Sequence, residues 1–256
     1  MLPRWLLKQH RKILAPTGTP LPSAFVASRS DGSEHVVSQG QNPELVTFKV
    51  CDGCNTGWMK HCENKVSSFL KPMMQGDRRD LTPQQQFWLS MWLLKTAMAM
   101  DSSENAEKKG FFTKEERHTL RENYGASISR LPPMPNTMHA WLGAYSGKST
   151  LAVEGHTFYW LHDGPRKVQI AAYVFTLLFG QVVGQVLVAH VPFEETGVST
   201  VKSPRINLAQ RLLYQVFKPR ESTISWPPPE MVDDKRVTLE DVILRWGGSG
   251  ALSVPH

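Results

Sequence analysis

The residues best suited to chemistry lie in Val50-Cys51-Asp52-Gly53-Cys54-Asn55-Thr56-Gly57-Trp58-Met59, which holds two of the three cysteines at C-x-x-C spacing. Two thiolates so placed can grip one zinc ion, because a tight turn at Asp52-Gly53 brings both sulfurs to the same side. A structural zinc takes four ligands, and this stretch supplies Cys51 and Cys54. His10 and His35 are candidates for the rest if the fold brings them close. A nucleophilic role for either thiol needs an adjacent base, and the sequence points to none. His61, just downstream, is a further candidate site residue, set against the plainer reading of a surface histidine.

The elements around this stretch follow from hydrophobic periodicity. Leu2 to about Leu14 reads as a short amphipathic helix with Arg4, Lys8, Arg11 and Lys12 on one side. Residues 15–33, rich in Pro, Gly and Ser, read as loop. Glu34–Val37 and Leu45–Val50 read as strands of a hairpin turning at residues 39–43, the second running into the cysteine pair. A helix from about Thr56 to Met74 follows. Trp58, Cys62, Val66, Phe69 and Met73 form its apolar stripe, so Cys62 reads as a core thiol. The order is ββα. Thr82 then caps a core helix with Pro83 in its first turn, apolar to Met100, and Thr113-Lys114-Glu115-Glu116 opens a weaker helix ending near Tyr124.

From Thr137 the pattern turns to strand, at Met138–Ala144 and Thr157–Leu161. Residues 168–193 are free of charge until Glu194 and contain Gly180 and Gly184 in a G-x-x-x-G. Two buried strands, about Gln169–Leu178 and Gln181–Val191, fit their Val, Tyr, Phe and Gln content better than a membrane span. A short capped helix is expected from Thr238 to Trp246. The fold class is therefore α+β, with a ββα zinc-knuckle-like segment in 1–76, a helical middle in 77–136 and an antiparallel β-rich part in 137–256.

Composition narrows the function classes. Apolar residues make up 41% and charged residues 20%, as in an ordinary globular chain. Three cysteines give no disulfide framework, and the first residues lack a signal-peptide core, so a cytoplasmic location is expected. The net charge of +6 is uneven: residues 1–80 hold 11 Lys and Arg against 7 Asp and Glu, while 170–256 hold 8 against 8. Positive charge gathers around the cysteine pair, which suits a polyanionic partner such as nucleic acid, set against the plainer reading of a mildly basic protein with no such partner. No G-x-x-x-x-G-K-[ST], G-x-S-x-G or H-E-x-x-H occurs.

The C-x-x-C-N motif after a hairpin and before an apolar helix resembles the second half of an HNH (His-Asn-His) endonuclease domain. Residues 50–63 with Lys71-Pro72 are similar to a bacterial and phage group carrying C-x-x-C-N-x-G-W-M, a Glu shortly after and then K-P. Leu2-Pro3-Arg4-Trp5-Leu6-Leu7, Trp141–Tyr145 and Trp226–Pro228 also look like segments of that group. The resemblance implies zinc on Cys51 and Cys54, Asn55 as the motif's asparagine, His61 as the nearest candidate for a final site residue, and Mg2+ or another divalent ion for phosphodiester hydrolysis. The group's upstream C-x-x-C and E-H, with its general-base histidine, would fall before Met1, so the resemblance implies a truncated member, inactive without that histidine. The alternatives are a non-catalytic nucleic-acid or protein-binding module, and a membrane-associated protein resting on residues 168–193.

Overall fold

The computed structural model describes residues 24–28, 34–39, 52–104, 110–124, 138–147, 151–162, 168–190, 212–217, 222–233 and 242. The expected helix at Leu2–Leu14, the strand at Leu45–Val50 and all of the Thr238–Trp246 helix but Val242 lie outside them. The described chain is mixed α+β.

Strands β1 (Ala24–Ser28) and β2 (Glu34–Gln39) form an antiparallel hairpin, with Ala24 opposite Gln39 and Ser28 opposite Glu34. Strand β1 corrects the reading of 15–33 as loop. Ala-Phe-Val-Ala is a short β-forming run, and the surrounding Pro, Gly and Ser masked it.

Helix α1 (Asp52–Thr56) and helix α2 (Trp58–Met74) follow. The expected tight turn at Asp52-Gly53 and the helix start at Thr56 are both corrected, because the backbone is already helical from Asp52. Gly57, at φ −91° and ψ −112°, separates the two helices: its N–H donates to the carbonyl of Gly53 at the end of α1, and the N–H of His61 donates to the carbonyl of Gly57 at the start of α2, both at 3.1 Å. The expected stripe of Cys62, Val66, Phe69 and Met73 is buried. The helix closes in a Schellman arrangement, with the N–H of Asp77 on the Pro72 carbonyl and that of Gly76 on Met73, each at 3.0 Å.

After strand β3 (Arg79–Leu81), helix α3 (Pro83–Glu104) starts at a reciprocal cap. The Thr82 N–H donates to Gln85 Oε1 at 2.9 Å, and the Gln85 N–H to Thr82 Oγ1 at 3.3 Å. From Gln86 to Asp101 this helix is buried all round, Trp88 excepted, as befits an element with neighbours on every side. Its hydroxyls return to their own backbone, Ser90 to Gln86 at 2.9 Å and Thr96 to Trp92 at 2.8 Å. Helix α4 (Lys114–Asn123) begins with a full capping box between Thr113 and Glu116.

Strands β4 (Met138–Ala144), β5 (Leu151–His162), β6 (Val168–Phe179), β7 (Val182–Ala189) and β8 (Tyr214–Phe217) form an antiparallel sheet of order β5-β6-β7-β4-β8. The charge-free stretch is the β6–β7 hairpin at its centre, as the two-strand reading expects. Its glycines serve this hairpin, not a helix pair. Gly180 turns the chain at φ +59°, where any Cβ would lie 2.5 Å from the Met74 carbonyl oxygen. Gly184 leaves room for Leu93, whose Cδ2 would stand 2.7 Å from an added Cβ. Among the described residues no helix is long and apolar enough to cross a membrane.

Residues 172–179 of β6 and 182–189 of β7 are buried on both faces, which explains why these central strands read as continuous apolar runs. One face joins α2, α3 and α4 in a core that draws Val66 and Phe69 from the first segment, Trp92 and Leu93 from the second, and Phe175 and Val186 from the third. The other carries Leu178 and Val183 under Tyr145, Leu212, Leu213, Val232 and Val242. There the buried Gln185 donates from Nε2 to Thr176 Oγ1 at 2.8 Å and to the Val242 carbonyl at 2.9 Å. Strand β9 (Ile224–Trp226) returns to pair with β3.

Candidate functional site

The motif residues gather at the α1–α2 junction. Cys51 lies outside the described residues. Cys54 is half-buried on α1, Asn55 beside it is exposed, and His61 is exposed on the side of α2 away from the buried stripe. Helix α1 is a single turn with no buried residue, and Thr56 Oγ1 donates to the Asp52 carbonyl at 2.8 Å within it. The junction demands a glycine at 57, since a Cβ there would lie 2.6 Å from the Gly53 carbonyl oxygen. The side chains of Asn55 and His61 make no hydrogen bond to each other among the described residues, so the structure sets both on one helical segment without joining them.

Below this exposed turn the frame is rigid, and sequence reasoning missed what holds it. Lys95 of α3 is buried to 2% side-chain exposure, and its Nζ stands 2.6 Å from Glu63 Oε1 of α2, where Glu63 is 19% exposed. The available signal was that Lys95 is the one charge between Pro83 and Met100 in an apolar helix; such a lysine is stable only with a carboxylate partner. Trp58, first residue of α2, packs on Tyr124 beyond α4 with ring centroids 5.6 Å apart. Lys65 lies 5.0 Å from the centroid of the Trp88 ring. The C-terminal end of α2 is pinned to the sheet by the N–H of Gln181, which donates to the Met74 carbonyl at 3.1 Å.

Cys62 separates from the motif cysteines. Burial pushes its thiol up to about 11, against the lowering pull of Lys95 and with a further rise from Glu63. At neutral pH it is a protonated core thiol, neither ligand nor nucleophile, as the apolar stripe suggests.

For a metal, Cys54 is one donor of the required set. Among the described residues no group of three His, Cys, Asp or Glu is gathered to hold an ion. The described donors therefore do not fit zinc or magnesium by themselves, and the co-ligands of Cys54 would have to come from residues outside them. The charges here nearly balance: Lys60, Lys65 and Lys71 lie along α2 and Arg78 and Arg79 follow its end, against Asp52, Glu63, Asp77 and Asp80 in the same stretch.

No family model, no curated protein and no solved structure matches this chain.

Proposed function

We propose that this chain is an HNH-endonuclease-like protein acting on the phosphodiester bonds of nucleic acid, DNA above all, in the cytoplasm. The observation that carries the reading is the exposed Asn55 following Cys54 directly on a helical turn, presented by a helix whose inner face is locked into the core. An asparagine amide both donates and accepts hydrogen bonds, so in this position it can orient a phosphate oxygen or a neighbouring ligand. Cys51 and Cys54 would hold structural zinc, and a ββα knuckle would need Leu45–Val50, outside the described residues, as the strand that leads into them. A divalent ion such as Mg2+, when bound, would offset the charge that develops on the phosphodiester. His61, exposed one turn beyond Gly57, is the accompanying site residue. The basic residues along and after α2 supply the attraction for a polyanion.

A plasmid-nicking assay in magnesium or manganese tests the reading. Nicking by the wild type and its loss in Asn55→Ala are expected; equal nicking by both proteins removes Asn55 from the site. Elemental analysis checks the metal, with one zinc per chain expected and a loss of zinc in Cys54→Ala. The lysine-lined helix favours a second reading, a nucleic-acid-binding module without catalysis. Salt-dependent DNA binding with no nicking under any divalent ion would select it.

A further inference from the structure

Away from the α1–α2 junction, the short ladder between β3 and β9 leaves two hydrogen-bond donors without acceptors on the same face. Arg79 and Trp226 are register partners, as are Leu81 and Ile224, while Asp80 opposes Ser225. Directly opposed residues of an antiparallel pair project to one side of the ladder. Leu81, Ile224 and Trp226 are buried and Asp80 and Ser225 are exposed, so Arg79 and Trp226 share the inner face. The Nε–H of Arg79 and the indole Nε1–H of Trp226 are both buried and both without a hydrogen-bond partner. Trp226 is only 3% exposed, whereas Arg79 as a whole is half-buried and so connects this face to solvent.

The nearest carboxylate in sequence cannot serve. Asp80 is on the outer face, where its Oδ1 accepts from Ser225 Oγ at 2.7 Å. At the far end of the ladder the Gln86 amide is fixed by Nε2 donating to the carbonyls of Leu81 and Ser222, each at 3.0 Å. Its Oε1, a buried acceptor without a partner, is neutral and provides no counter-charge to a guanidinium. Buried polar groups are almost always satisfied, and an orphaned pair asks for a missing partner. A single partner serving both donors, one of them cationic, would be acceptor-only and negatively charged. The planar guanidinium fork matches a tetrahedral oxyanion better than a halide.

We propose that Arg79 and Trp226 form a phosphate-class oxyanion site on the inner face of the β3–β9 ladder. The ligand chemistry is a phosphate oxygen, from a free phosphate or from a nucleic-acid backbone. The second source rests on the nuclease reading above, and the site itself does not.

The test is a titration of the full-length, 15N-labelled protein followed by NMR through its indole N–H signals. The eight tryptophans give eight such signals, and the one missing from Trp226→Phe assigns Trp226. Inorganic phosphate and a short DNA duplex are added in separate arms without divalent metal, against sodium chloride at matched ionic strength. The expected result is a saturable shift of the Trp226 signal in at least one arm. Apparent affinity should fall about tenfold or more in Arg79→Gln, as expected for loss of a charge-assisted bond. Response to phosphate identifies the free anion as sufficient, and response to duplex alone identifies the backbone. A Trp226 signal unmoved by both arms in the wild type overturns the site. So does a shift of equal affinity in Arg79→Gln, or, should that variant not fold, in Arg79→Met. No turnover is read, so a failed nicking assay leaves this outcome untouched.

Discussion

The Glu63–Lys95 pair should show an asymmetry that only its burial explains. Lys95 has 2% side-chain exposure and Glu63 has 19%, at 2.6 Å. Removing the carboxylate in Glu63→Ala strands an ammonium ion among Cys62, Met91 and other core groups, a change that costs about 3–5 kcal/mol in buried pairs. Removing the ammonium in Lys95→Met leaves a carboxylate that can still reach water, and methionine fills the lysine's volume. That loss should be about 1–2 kcal/mol, on the scale of a lost hydrogen bond. The double variant should resemble Lys95→Met, because the stranded charge is gone. The coupling energy is then about 3–5 kcal/mol, well above the range of exposed pairs. Urea unfolding followed by circular dichroism measures all four proteins, with unchanged m values required for the comparison. A cost below about 1 kcal/mol for Glu63→Ala would mean that Lys95 reaches water or another anion, and the account of what locks α2 to α3 would fail.

Three further outcomes follow from the same structure. The Cys62 thiol is raised from 9.0 to about 11 in the folded chain, so the stability it contributes is complete below pH 9 and lost as pH rises through 11. Wild-type stability in urea should therefore fall across that window by about 2–3 kcal/mol more than that of Cys62→Ala, measured by the same melts; parallel curves for the two proteins would refute the shift. Gln185→Met removes the bond that joins β7 to Thr176 of β6 and the one that ties β7 to the Val242 carbonyl. A loss of about 1–3 kcal/mol is expected, together with faster proteolysis after residue 233; unchanged cleavage there would show that the glutamine does not hold that segment. Gly57→Ala drives a Cβ against the Gly53 carbonyl and should cost about 1–3 kcal/mol, with amide exchange rising in residues 52–57 before the rest of α2. Wild-type exchange in those residues would show that the junction has space.

Much of this frame was legible because burial writes itself into sequence with a period. The stripe from Cys62 to Met73, the capped helices at Thr82 and Thr113 and the two strands meeting at Gly180 are each set by local patterning strong enough to survive tertiary context. Strand β5 runs from Leu151 although only Thr157–Leu161 looked extended. Glu154, Gly155 and His156 interrupt its pattern, and its length is set by register with β6. Strands β3 and β9 have three residues each and meet across more than 140 positions, so neither carries a local signal. At the candidate site, residue types were readable and geometry was not. Asp52-Gly53 argued for a tight turn where the chain is helical, and the break comes instead at Gly57, where a Cβ would meet the Gly53 carbonyl.

The distribution of order along α1 and α2 bears on how the site would work. Helix α2 is secured at three points: Trp58 on Tyr124, Glu63 on Lys95, and the Met74 carbonyl on the β6–β7 turn. Helix α1 has five residues and buries none of them, and a helix that short does not sustain itself in water. Its order comes from the single bond of Gly57 to the Gly53 carbonyl that closes it against α2 and from whatever its own side chains bind. Cys54 and Asn55 thus sit on a turn whose free energy of opening lies well below that of the core beside it. Ligand binding at such a turn couples to its folding, so metal on Cys54 would fix the position of Asn55 at the same time. The buried frame decides where the turn stands, and the ligands decide how firmly it is held.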